Sequence, residues 1–532
     1  MLDLLFRNIT VTDGSGGPSY VGDVGVKDGK ITFDTQQEAK EIVEGDGMTL
    51  CPGFVEAHSH GDMSIGFYPA TICKIAQGIT SEIGGQCGDG CFPVDKRFLA
   101  DMKVFANMTH DYLHMPYETF TDLDNYIAYA ETQKLAMNMA TLIPHNNLRL
   151  SVMGVEDRAP TAGEMELMKE RVRQCMEQGA FGLSTGLVYI PGVYAHVEEI
   201  VELCKAMAPY GGIYATHMRD QADKMVDSVR ESIYVAEKAG VALVISHFKA
   251  TGKANWGQSK EAIKLIDEAR ARGVRILMDQ YPYEAFMSGV SVCIPPWHFA
   301  DGMDALLERL KEPAFREQVA REMNDPDSGY SNGYLHAGGF DGIFITFSPN
   351  EPAAEQKTIG DYARELGRDP MDVYFDLLIR NQGVFNGIFF AMDLQEVLDI
   401  YCNPHTVVGS DGLCFDVENK GHPRTWGTFV KTLDEFVGKR GLVTFEEAIK
   451  KQTSQTAEFW GLEGKGRIAE GYDADLVLID RAKLKDNATF ADPNRKPDGI
   501  EAVYVGGKCA YRDKELTGVY NGRMLRSKNG RR

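Results

Sequence analysis

Short apolar runs recur through the middle of the chain, at 52–58, 79–85, 138–144, 180–184, 212–217, 242–247, 274–279 and 406–411. Each has the length of one strand, and the lack of polar alternation within them predicts strands covered on both faces, as in a parallel sheet. Between most of them lie stretches such as EMELMKERVRQCMEQ (164–178) and KEAIKLIDEARARG (260–273), where apolar residues recur at helical spacing. Eight strand–helix units closing on themselves predict an α/β fold of the (β/α)8, TIM-like barrel type, whose reactive side chains gather at the C-terminal ends of the strands. The alternative, an open doubly wound sheet, calls for a glycine-rich phosphate loop after the first strand, and none is present.

The two ends read differently. LLFRNITVTDG and DVGVKDGKITFD near the start, and GRIAEGYDADLVLID and GIEAVYVGGKCAYRDKEL near the finish, are β-like and break at Asp-Gly or Gly-Gly turns. Each end is too short for a core of its own, so residues 1–50 and 465–532 are expected to pack together as one small β-sandwich. The barrel then spans 51–464. Before its last strand, residues 282–405 form a connection far longer than a barrel loop, which predicts an inserted subdomain or a lid.

Charge and cysteine content narrow the partners. With 77 acidic against 56 basic residues the net charge is -21, a field that repels nucleic acid and anionic membranes but says little about a small-molecule substrate. The ten cysteines show no framework spacing, and Cys87 and Cys91 form a C-x3-C without a second pair. The start MLDLLFRNITVTDG lacks a basic segment followed by a long apolar run, and no window is apolar enough to span a membrane. The expectation is a cytoplasmic protein.

The chemistry-bearing residues cluster at the predicted strand ends. His58 and His60 follow the first run; two residues apart in extended chain, they face the same way, and imidazoles suit a metal such as zinc. The alternative for an isolated H-x-H is two hydrogen-bonded histidines. Cys87 follows the second run amid glycines, where a thiolate would bind zinc strongly; a buried free cysteine is otherwise a small hydrophobe. The runs IYATHMR and LVISHFK each end in a histidine, His217 and His247, about one βα unit apart. Asp411, in GSDG after the last run, is placed to take a proton from a water acidified by a metal, although a lone Asp-Gly is usually a turn. The succession of a histidine pair, cysteine, histidine, histidine and aspartate carries the argument that no single motif carries.

In this order, PGFVEAHSH, QGIT with GGQCG, FGLSTGLVYIPGVYA, THMRD, ISHFK, DQYPY, GSDG with HPRTWGTF, and GRIAEGYDADLVLID resemble the amidohydrolase superfamily, and within it the D-aminoacylases (N-acyl-D-amino-acid deacylases). The resemblance covers nearly the whole chain, and the cysteine after the second strand is its most specific element. It implies zinc-dependent hydrolysis of N-acyl-D-amino acids, with Cys87, His217 and His247 holding a tight zinc. His58 and His60 would hold a weaker second ion, with Cys87 able to bridge, and Asp411 would join the metal ligands and act as general base. It further implies a clamp for the substrate carboxylate from Tyr189, Lys249, Tyr281 or Tyr283, Ser288 and Arg424. The chain departs from the family at Gln86, where asparagine is usual, in the length of 282–405, and in EAFMSGVSVCIPPWHFADG, which lacks the arginine expected of an acidic-side-chain enzyme. The last difference points to neutral or apolar side chains. The alternatives are an amidohydrolase acting on a cyclic or peptide-like amide, and a non-catalytic scaffold, which the complete ligand set argues against.

Overall fold

The structure is a computed structural model that describes residues 1–105, 115–327, 329–413 and 421–528. All eight apolar runs form strands: β1 (Phe54–Glu56), β2 (Ile79–Gly84), β3 (Asn138–Thr141, continuing as Ile143–Pro144), β4 (Gly182–Gly186), β5 (Ile213–His217), β6 (Ala242–Ile245), β7 (Ile276–Gln280) and β8 (Thr406–Val408). Neighbours pair in parallel from β1 through to β8. The ring closes where Ala57 N donates to Val408 O (3.3 Å) and Asp411 N to His58 O (2.9 Å). The fold is therefore a closed α/β barrel, not an open doubly wound sheet.

Alternation sorts the strand side chains even though nearly every position is buried, His217 and Ala242 being partly exposed. Val55, Ile83, Ala140, Ala215, Val244, Leu277 and Val407 meet in one cluster inside the barrel, floored by Ala457 and Trp460 of the helix Ser454–Trp460. The intervening Leu243, Ile245, Ile276 and Met278 point outward into the helix layer. That layer includes Ala162–Glu177, Val197–Met207, Met225–Ala239 and Gln258–Ala271. The first of these starts at a capping box, in which Thr161 Oγ1 accepts the Glu164 N–H and Glu164 accepts the Thr161 N–H.

Both chain ends join one nine-stranded sheet, in which Thr49–Pro52 pairs in parallel with Leu2–Val11 and antiparallel with Leu476–Ile479. Leu476 and Leu478 face a core with Leu4, Phe6 and Val24, whereas Val477 and Ile479 face the barrel helices. Period-two alternation thus covers both faces of this sheet. Within the long connection, Ala285–Gly289, Asn386–Phe390 and Ile343–Phe347 form a three-stranded antiparallel sheet. Its core is separate, built on Val290, Leu310, Val319, Tyr374 and Phe389. The helix Leu394–Cys402 leaves that core and packs Val397, Leu398 and Tyr401 with Val408 and Phe429 of the barrel. Among the described residues no helix is long and apolar enough to cross a membrane.

Candidate metal centre

The strand ends deliver their polar side chains to one place. On β5, Ala215 sits in the barrel interior and His217 stands two residues further up; on β7, Leu277 and Asp279 stand in the same relation. His58, Cys87, His247 and Asp411 offer donor atoms that all lie within 4.8 Å of one another, and all four are buried. Cys87 Sγ is 3.3 Å from both His58 Nε2 and His247 Nε2. Asp411 Oδ1 lies 3.5 Å from His58 Nε2 and 3.1 Å from His60 Nε2. The His217 ring stands edge-on to His247 at 4.3 Å between centroids and to Tyr189 at 5.0 Å. All six residues singled out as ligands in the sequence therefore converge, with His58 rather than His217 in the tightest group of four.

Three of these residues have left-handed backbone: Cys87 (φ 55), His247 (φ 35) and Asp411 (φ 51). Non-glycine residues avoid that region, and where they occupy it the surroundings hold them there, often at functional sites. Backbone packs closely around Cys87, where glycines leave no space for a side chain. A Cβ on Gly186 would lie 2.0 Å from Cys87 O, and one on Gly88 would lie 2.7 Å from Gly186 N.

The electrostatics suit a cation. Burial, and then the neighbouring Lys249, holds His247 and His217 well below the ordinary histidine range, so both imidazoles are neutral and carry a lone pair. Burial would raise Asp411, but Arg424, the hydrogen bond from His60, and His247 and His58 outweigh it and hold the carboxyl well below its usual range. Burial and the Asp411 charge push the Cys87 thiol well up. A bound cation reverses that preference, since a coordinating thiol is deprotonated. Two imidazoles, a thiolate and a carboxylate form a donor set that zinc accepts.

Around the centre, Arg424 Nη1 is 2.7 Å from Asp411 Oδ2, and its guanidinium lies over the Tyr281 ring at 4.9 Å. Lys249 Nζ lies 5.6 Å from the same ring centre and 2.8 Å from His247 Nδ1. Burial, opposed by Asp411 and reinforced by Arg424, brings Lys249 down to about 7. Tyr189 and Ser288 line the pocket together with Asp411.

Tyr283 does not reach the site. A backbone bond from Tyr283 N to Tyr281 O (3.0 Å) folds the YPY segment into a three-residue turn, which breaks the alternation that would place both tyrosines on one face. Tyr283 instead donates to Pro423 O (3.3 Å) and packs against His422 and Phe490.

Two features escaped the sequence reading. Asp279, fully buried, lies 3.3 Å from His58 Nδ1 through Oδ2 and accepts the His247 N–H at 2.7 Å through Oδ1. Burial lowers the His58 pKa, but Asp279 foremost, together with Asp411 and Glu56, outweighs this and raises it. Gln221 Nε2 sits 3.2 Å from His247 Nδ1. An acidic residue closing a strand, two positions beyond an interior one, was the available signal for Asp279. Gln86, the departure from the family pattern, donates to Ala57 O at 3.1 Å and ties β2 to the end of β1.

The pocket opens into a cleft of about 1050 Å3 between the barrel and the insertion, with Tyr189 and Ser288 lining both. Val292, Ile294, Phe299, Met303 and Phe385 give the insertion side an apolar wall. The barrel side carries charges, including the paired Arg219 and Glu231 (2.8 Å).

A parallel barrel with a buried histidine, cysteine and aspartate donor group at its strand ends defines a metal-dependent hydrolase of the amidohydrolase class, and a model of the Amidohydrolase family matches residues 350–511. The chain is 32% identical to a D-aminoacylase of Alcaligenes xylosoxydans xylosoxydans, over 98% of this chain and 97% of that protein. It is also 32% identical to an N-acyl-D-aspartate deacylase of the same organism, over 97% and 93%. The crystal structure of an N-acyl-D-glutamate deacylase from Bordetella bronchiseptica, complexed with zinc and a phosphonate mimic of the tetrahedral intermediate, is similar at 29% identity with a TM-score of 0.83. The match covers 99% of this chain and 100% of that one. The chain belongs to the D-aminoacylase family of amidohydrolases.

Proposed function

We propose that this protein hydrolyses the amide bond of N-acyl-D-amino acids with zinc, releasing a carboxylate and a free D-amino acid, and that it favours neutral or apolar side chains. The observation that carries this reading is the convergence of four donor atoms within 4.8 Å beside an arginine 2.7 Å from Asp411. Cys87, His217 and His247 would hold the tight zinc and His58 and His60 a weaker second one, with Cys87 Sγ, 3.3 Å from both His58 Nε2 and His247 Nε2, within reach of either. When bound, zinc supplies Lewis acidity to the amide carbonyl and lowers the pKa of water.

The protein's own groups do the rest. Asp411 accepts the proton of the attacking water at its carboxylate and passes it to the amine nitrogen as the C–N bond breaks. Arg424, Lys249, Tyr281, Tyr189 and Ser288 receive the substrate's α-carboxylate. Arg424 exchanges its contact with Asp411 for one with the substrate, which leaves Asp411 more basic once substrate is bound. Burial of these groups excludes bulk water and strengthens charge-assisted recognition. The apolar wall of Val292, Ile294 and Phe299, which presents no cation to an acidic side chain, supports the side-chain preference.

The same reading divides the chain into a barrel of 51–464, a β-sandwich of 1–50 with 465–532, and an inserted lid within 282–405. The sheet shared by both ends and the separate core of the insertion support it; residues 529–532 lie outside the described ones.

Paired N-acetyl-D- and N-acetyl-L-amino acids test the activity, and preferential turnover of the L-series would overturn it. Arg424→Met tests the clamp. Loss of a charged hydrogen bond worth about 1.5–3 kcal/mol raises KM for N-acyl amino acids by about 10–100-fold, and an unchanged KM would remove Arg424 from the clamp.

A further inference from the structure

Beside the metal centre lies an ion pair to which the catalytic reading gives no part. Lys74, in the short helix Ile72–Ile75, is fully buried, with Nζ 2.9 Å from Glu56 Oε2 and donating to Ser410 Oγ at 2.6 Å. The other oxygen of Glu56 accepts the N–H of Ser410 at 2.6 Å and that of His58 at 3.3 Å. Ser410 Oγ in turn accepts the Gly412 N–H at 3.1 Å. The pair thus grips the chain on both sides of Asp411, whose backbone is left-handed, and holds the backbone of His58 to the same carboxylate. His60 has a parallel arrangement: Ser59 Oγ donates to buried Glu82 at 2.6 Å and accepts the Gly61 N–H at 3.0 Å.

A buried ion pair is weak evidence for stability, because apolar residues of similar volume often replace it without loss. A left-handed non-glycine residue, in contrast, persists only where its surroundings over-determine it. Neither Lys74 nor Glu56 lines the pocket or the cleft, so neither meets substrate. We propose that Lys74 and Glu56 are positioning residues that hold the Ser410–Asp411–Gly412 turn so that the Asp411 carboxylate faces the reacting amide. The inference rests on the deacylase reading, in which Asp411 moves the proton.

The test is the double variant Glu56→Gln with Lys74→Met, which removes both charges of the pair, compared with Ser410→Ala, which removes only the hydroxyl link. Each is measured for apo-protein Tm, zinc content in zinc-supplemented buffer, and kcat and KM on the N-acyl-D-amino acid that the wild type turns over best. The double variant is expected to fold and to bind zinc as the wild type does, with kcat down about 100-fold and KM within about twofold, the pattern of a base misplaced by about 1 Å. Ser410→Ala is expected to lose about tenfold in kcat at unchanged KM. A folded double variant with kcat within about threefold of wild type would reduce the pair to a packing element. If the double variant does not fold, Ser410→Ala decides alone, and kcat within about twofold of wild type overturns the inference. Absence of deacylation by the wild type itself would instead refute the deacylase reading.

Discussion

Asp279 offers the sharpest test of how the centre is built. Its carboxylate is fully buried and divided between two proposed ligands, with the His247 N–H at 2.7 Å and His58 Nδ1 at 3.3 Å. Asp279→Asn keeps the size and one carbonyl oxygen, and that oxygen can still accept the His247 N–H. The new amide NH2 then faces His58 Nδ1. Either two donors confront each other, or His58 moves its proton to Nε2 and withdraws the lone pair that points towards Cys87. Partners of this kind are worth about 10–100-fold in metal affinity, or about 1.4–2.7 kcal/mol. Because the contact to His247 survives, the loss is expected to fall on the second ion proposed for His58 and His60. Competition titration of the apo protein with a chromophoric chelator reads this directly, since the second zinc equivalent should weaken by that factor while the first holds. Thermal melting of the apo protein controls for misfolding. Unchanged affinity for both equivalents, within about threefold, would mean that Asp279 does not orient His58 or that His58 holds no metal.

Cys87→Ala, which removes the donor placed between His58 and His247, should purify with less than about one zinc per chain and lose at least about 1000-fold in activity; full zinc content by elemental analysis would contradict it. Leu277→Ala opens a cavity in the barrel interior, where Leu277 packs with Val55, Val244 and Val407. It should cost about 2–5 kcal/mol in urea unfolding, and a smaller loss would mean that the interior collapses around the gap. Burial lifts Asp486 to about 6, only partly opposed by the Ala488 N–H and Lys431. A raised carboxyl contributes no penalty below its unfolded pKa, and stability is lost as pH rises from there through about 6. Asp486→Asn should therefore match the wild type near pH 4 and exceed it at pH 7 by up to about 3 kcal/mol; equal urea midpoints at both pH values would refute the assignment.

The barrel was legible because parallel strands buried on both faces leave apolar runs, and every run at 52–58 through 406–411 contains a strand. Boundaries drifted by a few residues, as at 274–279 against Ile276–Gln280, because the polar residue that closes a barrel strand belongs to the strand and not to the loop. Asp279 lies inside the run at 274–279 and reads only as part of an apolar strand. The small sheet of the insertion was not legible. Ala285–Gly289 pairs with Asn386–Phe390 about a hundred residues away, and no local periodicity reports a partner that distant. That the two chain ends associate could be anticipated because both repeat the same alternation and turn chemistry, although their joining in one nine-stranded sheet and its strand order could not.

Of the centre itself, residue identity was legible and conformation was not. Alternation predicts side-chain direction only while the chain stays extended, and the site begins where extension stops. Cys87, His247 and Asp411 each turn left-handed just past a strand, and Tyr283 is carried away by a three-residue turn. The glycines around Cys87 and Asp411 signalled such a turn, whereas nothing beside His247 did. A left-handed residue has few conformations that tolerate substitution, so its hold on geometry comes from groups elsewhere in the sequence: Asp279 for His247, and Glu56 with Lys74 for Asp411. Asp279 lies 32 residues from His247, and Glu56 lies 354 residues from Ser410, the neighbour of Asp411. Sequence motifs therefore named the groups that converge at the centre, and only the folded chain named the groups packed behind them.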